Sequence, residues 1–133
     1  DRSNALQVIK PLAETAPATA DFFIEYRLER DRVRSERSDL LREMLASAKT
    51  DEARQKAQEA MLKLVQEKQR EAEMENLIKA RGFADALVFV REGLVSAVIK
   101  TQSLTREEVM QVADVIGRVS GARQEDITIS AKP

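Results

Sequence analysis

The chain has 133 residues, no cysteine, no histidine and a formal net charge of -1. These values exclude disulfides, thiolate or imidazole catalysis and most zinc sites, and they remove any bulk attraction to nucleic acid or an anionic membrane. With 34% charged and 4% aromatic residues, one small domain with a modest core and much solvated helix is expected.

Residues 1–20 hold Pro11, Pro17 and small or polar side chains around a brief apolar patch at Leu6, Val8 and Ile9. They read as a mostly disordered tether. Because the first residue is Asp1 and not Met, the chain is expected to be a piece of a longer protein whose targeting segment has been removed. No apolar run in it is long enough to cross a bilayer.

Asp21 is expected to cap a helix reaching about Ala48, with Phe22, Tyr26, Val33, Leu40 and Met44 as its apolar stripe and Leu41 and Leu45 beside it. The middle of this helix, Glu29 to Arg37, interleaves charges three and four apart (Arg27/Asp31, Glu29/Arg32, Arg32/Glu36). That pattern suits a solvated or partner-facing helix; the interleaved acids speak against a phosphate-gripping stripe. Thr50 then caps a second helix from about Asp51 to Arg81, forming a helical hairpin with the first. Its last turns, Met74, Leu77 and Ile78, are expected to pack on a sheet.

From Ala86 the pattern becomes strand, turn, strand, helix, strand. Ala86–Val90 and Leu94–Lys100 are rich in β-branched residues, and Glu92-Gly93 forms a two-residue hairpin loop. That loop pairs Val90 with Val95, Val88 with Ala97 and Ala86 with Ile99, an apolar face to which Ile127 and Ile129 add. The opposite face, with Leu87, Phe89 and Val98 among Ser96, Thr128 and Arg91, is expected to be open. Thr105 and Glu108 form a capping box for a helix bearing Val109, Val112, Ala113 and Ile116, and Gly121 ends it. Ile127 to Ser130 alternates as a strand.

The fold class is therefore α+β. A long helix or helical hairpin (21–68) precedes an αββαβ unit (69–133) whose three-stranded sheet is expected in the order 2-1-3, with the apolar run Ala86–Val90 central. That order leaves Leu94–Lys100 as an edge without proline or internal charge, suited to strand addition. The candidate interface is thus Leu94, Val95, Ser96, Ala97, Val98 and Ile99, with Leu87 and Phe89 on the open face. Paired carboxylates lie on helices near lysine or arginine, and no phosphate loop, nucleophile elbow or metal-ligand spacing occurs. No enzyme activity and no cofactor are expected. A regulatory or RNA-binding adaptor is the alternative, but it needs a GxxG loop or exposed sheet aromatics, and Phe89 alone is available.

The segments Phe22 to Arg30 with Arg34-Ser35, Glu73 to Lys79, Gly82 to Ala86, Val95 to Lys100, Ser103 to Thr105 and Asp126 to Ile129 resemble, in order and spacing, the stage III sporulation protein AH family. The resemblance implies a membrane span just upstream of Asp1 and an extracytoplasmic domain similar to the ring-building domains of type III secretion and flagellar proteins. It also implies a channel or scaffold between mother cell and forespore, with stage II sporulation protein Q as partner and no nucleic acid. Whether a ring forms with itself, with related proteins or with the partner stays open, and no catalytic residues are implied.

Overall fold

The computed structural model describes residues 19–133. Helix α1 (Thr19–Ser47) begins two residues before the expected cap, and α2 (Asp51–Ala80) starts at Thr50, whose hydroxyl accepts the Ala53 N–H at 3.0 Å. The expected tether, apart from the helical Thr19 and Ala20, lies outside the described residues.

Strands β1 (Ala86–Arg91) and β2 (Leu94–Lys100) are joined by Glu92 and Gly93, with φ of 52° and 83°. Two positive φ values make the tight turn whose twist matches a hairpin, and they fix the register: Val90 opposite Val95, Val88 opposite Ala97, Ala86 opposite Ile99. Helix α3 (Arg106–Ser120) carries the full capping box: Glu108 N–H donates to the Thr105 hydroxyl at 3.1 Å, and Thr105 N–H to the Glu108 carboxylate at 2.9 Å. Gly121 ends it in the left-handed region, φ 74°. A single 3-10 turn (Gln124–Asp126), not expected from the sequence, leads into β3 (Ile127–Lys132).

The architecture is α+β, as expected, and the order α2-β1-β2-α3-β3 is the αββαβ unit. The sheet order, however, is β1-β2-β3 and not 2-1-3. Strand β3 lies parallel to β2, Ala97 beside Ile129, so β2 is central and β1 is an edge. The crossover through α3 is a simple one that returns to the neighbouring position without passing over β1.

The main core fills the face expected for it. Val88, Ala97, Ile99 and Val95 meet Met74 and Ile78 of α2 and Val112, Val115 and Ile116 of α3. Leu77, expected here, is 42% exposed. The opposite face is not open as expected: Phe22 and Phe23 of α1 lie on Leu87 and Val98, and all four are at most 2% exposed. The phenylalanine rings stand edge to face, 5.1 Å apart, and Lys132 Nζ lies 5.5 Å from the Phe22 ring centre. Beyond this lid Phe89, Ser96 and Thr128 stay half-exposed.

Candidate assembly surface

In an antiparallel pair, alternate residues turn their backbone groups outward, and on β1 these are Ala86, Val88 and Val90. Each meets an arginine or carboxyl side chain. Val88 N–H donates to Glu75 Oε2 at 2.9 Å, and Val90 N–H to Glu71 Oε2 at 3.1 Å. Arg30 Nη1 donates to the Val88 carbonyl at 2.7 Å and to Glu75 Oε2 at 2.7 Å. Arg27 Nη2 donates to the Ala86 carbonyl at 2.6 Å while the same guanidinium grips both Asp85 oxygens at 3.0 and 3.1 Å. Asp85 also accepts the Ala86 N–H at 2.8 Å. Arg34 closes the cluster on Glu71.

The middle of α1 is thus not simply a solvated face. Arg27, Arg30 and Arg34, three and four residues apart, turn inward along the β1 edge, and Glu71 and Glu75, one turn apart on α2, meet them. Arg32 behaves as expected, pairing with Glu29 and Glu36 in solvent. Burial raises the Glu71 carboxyl above its usual range; Arg34, Arg30 and the Val90 N–H offset only part of that. Burial acts to raise Asp85 too, but its bonds from Arg27 and the Ala86 N–H, with the nearby Arg27 and Lys79 charges, outweigh it and hold the carboxyl below the ordinary range. The acids here are ligands of arginine and backbone, an arrangement that secures a strand.

The other edge differs. The Lys132 carbonyl accepts the Thr101 N–H at 3.1 Å, so Thr128, Ser130 and Lys132 bond inward and Ile127, Ile129 and Ala131 face outward. The Ile127 N–H is taken by the Gln124 carbonyl of the 3-10 turn. Among the described residues, nothing bonds the outward groups of Ile129 and Ala131. Beside this edge lies a groove of about 880 Å³ floored by Val109, Ala113, Gly117 and Ile129. A second groove, about 540 Å³, lies over the uncovered half of the other face, between Tyr26, Val33 and Phe89.

Residues 4–129 match the family described as SpoIIIAH-like protein. The chain belongs to that family. Stage III sporulation protein AH of Bacillus subtilis (strain 168) is 24% identical over 120 residues, which cover 90% of this chain and 55% of the relative. The chain therefore spans about half the length of that curated relative. A chain of the solved SpoIIQ–SpoIIIAH pore-forming complex superposes with a TM-score of 0.75 at 23% identity, over 84% of this chain and 96% of the other, a likeness of fold.

In this SpoIIIAH-like chain the expected interface strand is not an edge. β2 is bonded on both sides, so its main chain has no groups left for an incoming strand. Of the residues expected there, Val95, Ala97, Val98, Ile99 and Leu87 are at most 2% exposed. Leu94 is exposed, and Ser96 and Phe89 are half-exposed at the second groove. Phe89, the aromatic an RNA-binding sheet would need, packs against the lid instead. The residues that sequence reasoning passed over are the arginines and glutamates of the β1 edge. A signal was there: Glu67, Glu71 and Glu75 recur every fourth residue within the buried stripe of α2. No helix among the described residues is long and apolar enough to cross a membrane, and none of their His, Cys, Asp or Glu side chains cluster to hold a metal ion.

Proposed function

We propose that this chain is a non-enzymatic structural component of the channel joining mother cell and forespore in endospore formation. In this reading a membrane span upstream of Asp1 anchors it to the mother cell, and the domain stands in the space between the two membranes. Its partner is a SpoIIQ-type protein of the forespore membrane. The family match over residues 4–129 carries the reading, and the likeness to a chain from the SpoIIQ–SpoIIIAH complex supports it.

The contact is strand addition at β3. Its outward groups at Ile129 and Ala131 await donors and acceptors, and the groove beside α3 receives alternate apolar side chains of the added strand. A ring requires a second, head-to-tail contact on another surface of the complex, repeated with a rotation that closes.

The test is chromatography with light scattering of this chain mixed with the SpoIIQ ectodomain of the same organism. Ala131→Pro removes one outward donor near the end of the strand and is expected to weaken complex formation at least tenfold, with the circular dichroism unchanged. A folded Ala131→Pro chain that binds as tightly as its parent would move the interface to the helices; a parent that forms no complex overturns the partner. The mass of the mixed species reports whether rings form.

A further inference from the structure

The β1 edge carries more machinery than strand stability requires. An edge strand left to water satisfies its outward groups with solvent at little cost, yet here buried or half-buried arginines, glutamates and Asp85 bond the outward groups of Ala86, Val88 and Val90. Arg30 and its neighbour Arg34 each leave an Nε atom buried without a hydrogen bond. Burying ion pairs in this way seldom adds stability over apolar packing. The arrangement calls for a role in specificity.

The two edges of the sheet are complementary to each other. On β1 the residues whose backbone faces outward carry their side chains on the face covered by α2 and α3. On β3 the outward-facing residues Ile127 and Ile129 do the same. Within one copy β1 runs antiparallel to β2 and β3 parallel to it. A second copy set alongside in the same orientation therefore presents its β3 antiparallel to β1. In an antiparallel bonded pair the two side chains share a face, so the joined sheet keeps α2 and α3 of both copies on one side. No register or chirality conflict forbids it. What forbids it is α1, lying along β1 with its arginines on the carbonyls.

We infer that the Arg27/Arg30/Arg34–Glu71/Glu75 cluster is a guard that keeps β3 of a second copy of this chain from adding to β1, so that assembly proceeds through β3 alone. The inference rests on the reading of β3 as the open edge. It makes α1 a cover for a latent interaction surface whose occupant is another copy of the same protein.

Sedimentation velocity over a range of concentrations tests it on the full chain. Arg30→Ala/Arg34→Ala is expected to turn a monomeric parent into a species whose mass climbs with concentration through dimer to larger forms. Arg32→Ala/Arg42→Ala, removing two exposed arginines, leaves the mass unchanged. If the double alanine chain does not fold, Arg30→Met/Arg34→Met/Glu71→Leu/Glu75→Leu removes both signs of charge at similar volume and is expected to associate likewise. Adding Ala131→Pro to either variant should restore the monomer. Folded variants that stay monomeric overturn the guard, as does association that Ala131→Pro leaves intact. Two variants that both fail to fold would place the cluster in the folding core and overturn it as well. Association of the variants beside a parent that ignores SpoIIQ separates this inference from the choice of partner.

Discussion

The two faces of the sheet are closed by different means. One is packed with aliphatic side chains from α2 and α3, helices immediately adjacent in sequence to the strands they cover. The other is sealed in part by a phenylalanine pair at the start of α1, more than sixty residues before the strand it covers, and left as a groove elsewhere. The first closure is local and periodic; the second depends on where a long helical hairpin happens to return. The difference separates what alternation in a strand can reveal from what it cannot: it shows which residues share a face, but not whether a distant segment covers that face.

Removing the second closure entirely should disturb the fold most. A chain from Glu67 to Pro133 keeps the aliphatic core and loses both the lid and the arginines. We expect it to melt cooperatively, at a lower temperature than any single variant of the full chain. A broad, non-cooperative melt would join α1 to the core and move the boundary near residue 68. Within the full chain, Phe22→Ala is expected to cost about 3–5 kcal/mol in urea unfolding, because the ring is 1% exposed against Leu87 and Val98. A cost under about 1 kcal/mol would show the lid to be loosely seated.

Leu87→Ala and Val88→Ala compare the two faces directly. Both residues are fully buried, one on each side of the same strand. Leu87→Ala is expected to cost about 2–5 kcal/mol and Val88→Ala about 1–3 kcal/mol. An open face would have made Leu87 the cheaper of the two, so the order of the two costs decides whether the lid holds in solution.

The smallest effect concerns pH. Asp85 holds Arg27 one turn after the phenylalanines, and its carboxyl sits below its ordinary value of 3.8 in the fold. A carboxyl depressed on folding contributes stability above its unfolded value, and the contribution fades as pH falls through the native one. Glu71, raised by burial, has the opposite sign and loses its contribution as pH rises through its native value. Urea midpoints measured from neutral to acid pH should therefore fall below about pH 4, and Asp85→Asn should flatten that fall by less than about 1 kcal/mol. An unchanged slope would show that Asp85 does not secure the lid.

Local chemistry made much of this fold legible. Glu92-Gly93 set the hairpin register, Thr105 with Glu108 set the start of α3, and alternation identified the aliphatic face. The strand order was not legible from the same cues. Ala86–Val90 looks central because it is apolar on both faces, but its second face is covered by Phe22 and Phe23 and its outer edge by arginine. With Ala86–Val90 taken as central, β2 fell to the edge, although both its edges are bonded. Adjacency of β2 and β3 follows from the short crossover, a rule of connection that composition does not express. The candidate surface moved with the strand order. Arg27, Arg30 and Arg34 were passed over because charges three and four apart on one helix are most simply paired along that helix, as Arg32 is with Glu29 and Glu36.

The α2 carboxyl groups bonded to β1 slow hydrogen exchange there. An amide at the rim of a sheet usually exchanges its hydrogen with solvent quickly, since small local openings suffice. The Val88 and Val90 amides are instead held by Glu75 and Glu71, which are themselves held by guanidinium groups. To expose either amide, α1 must lift from the strand or the glutamate must give up an arginine. Their deuterium uptake should therefore lag with that of the middle strand, while Ile129 and Ala131 label early. The slow side of this sheet is the one shielded by charge.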